Sequence, residues 1–241
     1  MSEHTIRTLL FDLDGTLLPM DQKRFMEAYL GAFAGKCKQL SLPVPLALEA
    51  LDNGFKAMLA NDGSMTNEKR FWKEFSTVLG FSVEDRIGDF IRFYSEEFTR
   101  LNIVAARNVL SRQFVETVRA DGYRTVLATT PVFPRPGTLE RLNWAGVDPS
   151  YFELITTYED FSYAKPNLGY YNEIMDKLAV DPEQCLMIGI DVEEVMVAKQ
   201  LGMDVFLVTD WLINPKGLDI SEYKRGSLRE AFDYCRGLGA V

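Results

Sequence analysis

The sequence of 241 residues predicts an α/β fold, a doubly wound and mostly parallel sheet carrying an inserted all-helical segment. Three observations lead there. Short apolar, β-compatible runs recur along the chain, separated by apolar stripes of helical spacing. Between about residues 19 and 105 that alternation stops, and only helical spacing is found. Acidic, hydroxyl and basic residues stand just past the strand-like runs, where sheets of this kind place their ligands.

The first run, Ile6-Arg7-Thr8-Leu9-Leu10-Phe11, reads as a buried strand. Thr125-Val126-Leu127-Ala128, Leu186-Met187-Ile188 and Val205-Phe206-Leu207-Val208 read likewise, and Leu154-Ile155-Thr156 more weakly. The intervening helices are marked by Leu110, Phe114 and Val118, by Tyr170 or Tyr171 with Ile174 and Leu178, and by Val192, Val195, Ala198 and Leu201. In the insert, Phe25, Tyr29 and Phe33 suit one helix face. Phe71, Phe75, Val78 and Leu79 suit a second, and Ile87, Phe90, Ile91, Tyr94 and Phe98 a third. Pro43, Pro45, Gly54 and Asn61-Asp62-Gly63-Ser64 punctuate it. The expected division is a core of residues 1–18 and 106–241 with a helical segment at 19–105, placed to act as a lid. Near the C-terminus, Asn214-Pro215-Lys216-Gly217 reads as a loop, followed by a short helix around Leu228, Phe232 and Cys235.

Composition excludes several classes. The net charge of −9 disfavours binding to nucleic acid or anionic membranes by general electrostatics. Cys37, Cys185 and Cys235 are widely spaced and show no zinc-ligand pattern. No basic-then-apolar leader is legible, and no run approaches the roughly 18 apolar residues of a membrane span. The expectation is a soluble, cytoplasmic protein. His4 is the only histidine, which disfavours a Ser/His/Asp mechanism.

Asp12-Leu13-Asp14-Gly15-Thr16 follows the first strand directly. Residues two apart on an extended chain point the same way, so Asp12 and Asp14 leave the strand side by side. Two crowded carboxylates repel unless a cation stands between them or one is protonated. That arrangement suits a divalent metal and phosphoryl chemistry, although Asp and Gly also favour plain turns. Thr129 and Thr130 close the second strand, and a hydroxyl there can donate to a phosphate oxygen. Lys165, before Pro166, is biased towards an extended backbone. Asp191 opens a helix after Gly189-Ile190 and suits an N-cap, with Glu193 and Glu194 in the first turn. Taken singly, each of these has an ordinary structural explanation.

In order along the chain they resemble the haloacid dehalogenase (HAD) superfamily of phosphohydrolases, in the subgroup with a helical cap after the first motif. The resemblance rests on Asp12 to Thr16, Thr129, Lys165-Pro166 and the turn Gly189 to Asp191, and it spans essentially the whole chain. It implies a Rossmann-like core and a Mg²⁺-dependent phosphatase of small phosphorylated metabolites. Asp12 would be the nucleophile that forms an aspartyl-phosphate, and Asp14 the general acid and base. Asp12, the Asp14 main-chain carbonyl and Asp191 would hold Mg²⁺, while Thr129, Thr130 and Lys165 would bind the phosphoryl oxygens. The acid at Asp14 favours phosphate esters, because dehalogenases and phosphonate hydrolases of the family lack it. A sugar phosphomutase would use the same residues. So would a catalytically weak relative that binds a phospho-ligand or a partner, and a receiver-type signalling domain is a more distant alternative.

The chain departs from the family pattern in the acidic turn. Ile190 is apolar where a small polar residue is usual, Val195 replaces a second acid, and Thr130 stands where Asn is frequent. These changes predict weakened Mg²⁺ binding. Glu194 is a candidate for metal support, but helix neighbours face about 100° apart, so it could compensate for Val195 only with a shifted turn. Lys56, Lys69, Arg70 and Lys73 are candidate substrate contacts in the cap.

Overall fold

The structure, a computed structural model, describes residues 5–239, so His4 lies outside the described residues. Six parallel strands form one sheet: β1 (Thr8–Phe11), β2 (Arg124–Leu127), β3 (Leu154–Ile155), β4 (Cys185–Gly189), β5 (Asp204–Val208) and β6 (Lys224–Gly226). Their order is β3-β2-β1-β4-β5-β6. β1 is central and buried along its whole length, as its apolar run requires. From β1 the order runs to β2 on one side and to β4 on the other, which opens a crevice at their carboxyl ends. Phe11 is level with both Leu127 and Ile188, so the chains after β1, β2 and β4 leave the sheet together.

The strand-like runs of the sequence are all strands here. β6 is additional, and its exposed Lys224 and Arg225 carry no apolar signal. Charge of that kind protects a sheet edge from pairing with other chains. Leu9 and Phe11 face a layer that holds α5 (Val109–Ala120) and α9 (Leu228–Gly237), with Phe114 edge-on to Phe11 at 5.0 Å. Leu10 faces the opposite layer, α7 (Leu168–Leu178) and α8 (Val192–Gln200).

Between Pro19 and Ala106 the chain is helical, forming the cap: α1 (Gln22–Gln39), α2 (Val44–Leu59), α3 (Asn67–Leu79), α4 (Ile87–Ser95) and short 3₁₀ turns. α2 corrects the reading of Pro43, Pro45 and Gly54 as loop punctuation. Pro43 is the N-cap and Pro45 sits in the first turn, where a missing N–H costs nothing. Gly54 lies mid-helix against Phe71 of α3, and a Cβ there would stand 2.5 Å from the ring. Aromatic packing fills the cap interior, with Phe33 stacked on Phe90 at 5.5 Å and Phe75 edge-on to Phe90 at 5.6 Å. The chain enters and leaves the cap side by side, through a bridge between Met20 and Ala105 and a bond from the Ala106 N–H to the Pro19 carbonyl at 2.9 Å.

Two devices seat the cap on the core. Phe133, in the loop after β2, packs among the cap rings of Phe25, Tyr29, Phe55, Tyr94 and Phe98. Asn67, at the start of α3 and fully buried, donates to the main-chain carbonyls of Pro131 and Tyr163, each at 3.1 Å. It also accepts from Asn61 at 2.8 Å. Both carbonyls belong to loops that carry site residues. No helix among the described residues is long and apolar enough to cross a membrane.

Asn67→Ala leaves those carbonyls without their donor, so it is expected to cost about 1–3 kcal/mol in urea unfolding. Amide exchange should rise at α3 before it rises at β1, and unchanged exchange at α3 would show that Asn67 does not secure the cap. Cys37, Cys185 and Cys235 are buried, and burial pushes each thiol up to about 12. All three are therefore expected to resist a thiol reagent at about pH 8 until the chain unfolds.

Candidate active site

The crevice at the carboxyl end of β1 holds a cavity of about 170 Å³, lined by Asp12, Asp14, Thr129, Thr130, Arg141, Asp191 and Glu194. Gln22, Val132, Phe133, Ile190 and Ile213 complete its wall. Asp12 continues β1, with its N–H donating to the Ile188 carbonyl at 2.9 Å. The chain then folds back on itself, the Leu18 N–H returning to the Leu13 carbonyl at 2.9 Å. Gly15 makes this turn with φ of +79°, and a Cβ there would strike Ile190 Cδ1. Ile190 therefore packs directly over Gly15 and closes that side of the site.

Lys165 is buried, 1% exposed, although a lysine before a proline reads alone as solvated surface. Its ammonium donates to Asp12 Oδ1 at 2.8 Å and stands 2.9 Å from Glu194 Oε2. It does not itself line the cavity. Burial disfavours the charged lysine, but Asp12 and Glu194 together outweigh this and hold its pKa well above the ordinary value. The Thr130 hydroxyl donates to the other oxygen of Glu194 at 3.2 Å.

Glu194 thus faces the site, with both carboxylate oxygens taken by Lys165 and Thr130. Asp191 is the N-cap of α8, its carboxylate accepting from the N–H groups of Glu193 at 2.9 Å and Glu194 at 3.2 Å. Side chains in a helix tilt towards its N-terminus, and the N-terminus of α8 points at the cavity. That tilt carries Glu194 inward. Val195 instead lies fully buried in the apolar layer with Val126 and Met187. Burial pushes the Glu194 carboxyl up, opposed by Lys165 and reinforced by Asp12.

Thr129 is buried, and its carbonyl accepts from the Thr156 hydroxyl at 2.6 Å and the Tyr170 hydroxyl at 3.0 Å. Tyr171 donates to the Glu194 carbonyl at 2.9 Å. α7 therefore ties the loop after β2 to the first turn of α8. Lys56, Lys69 and Lys73 are exposed and Arg70 half-buried, and none of them reaches the cavity. Lys56 pairs with Asp52 and Arg70 with Asp62.

Arg141 was not legible as a site residue. It comes from α6 (Arg135–Ala145) and is buried to 1% exposure. Its guanidinium forms an ion pair with Asp14 Oδ2. The available signal is Thr138, Arg141, Leu142 and Ala145, a buried helix stripe with one charge in it. A buried arginine requires a partner. Burial raises the Asp14 carboxyl, and Arg141 opposes that while Asp12 adds to it.

The donor set is one of hard oxygens without thiol or imidazole. Four carboxylates against two cations leave two negative charges when all are ionised. Asp14 Oδ1 is buried without a hydrogen-bond partner. Among the described residues no three acidic, His or Cys side chains gather closely enough to hold an ion by themselves. Two carboxylates with a main-chain carbonyl and waters would suit a small, hard dication, which keeps part of its hydration.

Lys165→Met leaves a buried carboxylate, Asp12, and a half-buried one, Glu194, without the ammonium between them. It is expected to destabilise the protein by about 3–5 kcal/mol in urea unfolding, with part of the loss recovered by adding Glu194→Gln. A Lys165→Met protein as stable as the native one would show that the pairs are not formed.

Comparison with known proteins gives the family of the chain. The family model for haloacid dehalogenase-like hydrolases matches residues 6–202. The chain is 27% identical over 205 residues to the probable phosphatase IndB of Dickeya dadantii (strain 3937), covering 83% of this chain and 80% of that protein. It is 22% identical over 202 residues to the pyrophosphatase PpaX of Bacillus pumilus (strain SAFR-032), covering 84% and 82%. The solved HAD phosphatase of Thermococcus onnurineus shares the fold, with a TM-score of 0.60 and 20% identity over 98% of this chain and 100% of that one. The matched stretch contains Asp12, Asp14, Thr129, Lys165 and Asp191, and the chain belongs to the haloacid dehalogenase-like hydrolase family.

Proposed function

We propose that the protein is a Mg²⁺-dependent phosphatase of small phosphorylated metabolites, working through an aspartyl-phosphate on Asp12. The observation that carries this reading is the pair Asp12 and Asp14 at the end of the central strand, facing one cavity with Thr129, Thr130 and Asp191. In the first step an Asp12 oxygen bonds to phosphorus as the ester P–O bond breaks. Asp14 gives its proton to the departing oxygen. In the second step Asp14 takes a proton from the water that attacks the phosphoryl group, and phosphate leaves with Asp12 restored. The Thr129 hydroxyl would hold a non-bridging oxygen, and the Thr130 hydroxyl, whose single proton goes to Glu194, would do so only by leaving that bond.

Lys165 would keep Asp12 aimed, and Glu194 would hold Lys165 and Thr130 in place. Both oxygens of Glu194 are already engaged in this way. Asp12, the Asp14 carbonyl and Asp191 are the groups that would hold Mg²⁺. When bound, the ion would offset the repulsion between a carboxylate and a phosphate dianion, roughly 4 kcal/mol for two unit charges at about 4 Å and an effective dielectric of about 20. With Val195 contributing packing rather than charge, the site offers the ion fewer carboxylates and is expected to bind it weakly. The cavity of about 170 Å³ is smaller than the ~300 Å³ at the low end of drug-sized pockets, which favours a phosphoryl group on a small remainder.

The test is turnover of p-nitrophenyl phosphate with Mg²⁺. Activity should vanish in Asp12→Asn and with chelator, and return when Mg²⁺ is restored. Asp191→Asn should raise the Mg²⁺ concentration for half-maximal rate by at least about 10-fold. Turnover that survives Asp12→Asn, or one phosphate released per chain and no more, would overturn the reading.

A further inference from the structure

We propose that Arg141 is the positioning residue for the proton transfer at Asp14, clamping one carboxylate oxygen so that the other faces the departing group; this rests on the phosphatase reading above. Arg141 Nη1 holds Asp14 Oδ2. Asp14 Oδ1 is buried and has no hydrogen-bond partner. A buried, unpartnered carboxylate oxygen on a catalytic cavity is costly unless a ligand or water meets it. The two oxygens are therefore divided: one is fixed by protein, the other is left for the reaction.

The guanidinium is itself held from three sides. Its Nε donates to the Gly137 carbonyl at 3.4 Å, its Nη2 lies 3.5 Å from the Thr138 hydroxyl, and Phe133 covers its face at 4.3 Å. With its other nitrogens and its face engaged in this way, the guanidinium offers Asp14 Oδ2 one fixed N–H direction, which a freely rotating ammonium would not. Stability alone gives little reason to keep such a pair, since well-packed apolar residues often replace a buried ion pair without loss.

The clamp is also tied to the cap. Phe133 sits in the aromatic cluster with Tyr29 and Phe98, and Gly137 abuts Tyr94 so closely that a Cβ would stand 2.6 Å from the ring. Seating the cap presses the start of α6 and the Phe133 ring around the guanidinium. Asp14 is then aligned while the cap is docked.

The experiment compares phenyl phosphate, whose leaving group needs a proton, with 2,4-dinitrophenyl phosphate, whose leaving group does not. The readout is kcat/KM, which reports phosphoryl transfer to Asp12. Arg141→Gln should lose roughly 100-fold on phenyl phosphate, the lower end of what general acid catalysis contributes, and less than about 5-fold on the dinitrophenyl ester. Arg141→Lys keeps the charge and most of the stem, so it covers the case in which the glutamine variant does not fold. It should show the same asymmetry at smaller size, as should Phe133→Leu. Equal losses on both esters in the folded variants would show a structural role only and overturn the proposal. Native protein that hydrolyses neither ester would instead overturn the phosphatase reading, and this proposal with it.

Discussion

A buried ammonium held between two carboxylates is the constraint around which the site is built. Taking Lys165 out of water is unfavourable by several kcal/mol unless its partners are in place. Those partners come from different elements, Asp12 from the end of β1 and Glu194 from the first turn of α8. The loop before α7, the central strand and the start of α8 therefore have to meet. Tyr170 and Thr156 bind the loop after β2, and Tyr171 the start of α8, through hydroxyl-to-carbonyl bonds. The result is a rigid floor on which Asp12 has little freedom.

A second, continuous set of contacts joins the cap to the chemistry. Cap rings pack on Phe133, Phe133 covers Arg141, and Arg141 grips Asp14. On the other side Asn67 ties α3 to the loops that carry Thr130 and Lys165. Cap position and site geometry are thus parts of one packed arrangement. Packed interiors of this kind pass displacement on rather than absorb it.

The departures from the family pattern also acquire a physical meaning. Ile190 fills the space above Gly15, where the positive φ and the crowding admit no side chain on the glycine. Val195 joins the apolar layer beneath β4, its Cγ2 lying 3.3 Å from where a Gly189 Cβ would stand. The acid that reaches the site is Glu194, one position earlier. The acidic turn has shifted charge towards Lys165 and towards the neighbouring Thr130.

The sheet's principal strands, the helical insert and the run of Asp12, Asp14, Thr129, Lys165 and Asp191 were legible because they are local signals. Apolar runs, helical spacing and short motifs are written in neighbouring residues. What escaped was whatever depended on distant partners. β6 has no apolar residues and exists only because β5 offers it an edge. α2 carries two prolines and a glycine that are harmless where they fall against the first turn and against Phe71. Glu194, a candidate for metal support, is turned by the tilt of α8 onto Lys165 instead, and Arg141 reads as an ordinary surface charge until α6 turns it under Phe133 onto Asp14. A sequence by itself determines which groups stand at strand ends; only packing decides which buried charges meet, because a charge is buried only where another element brings its counter-charge.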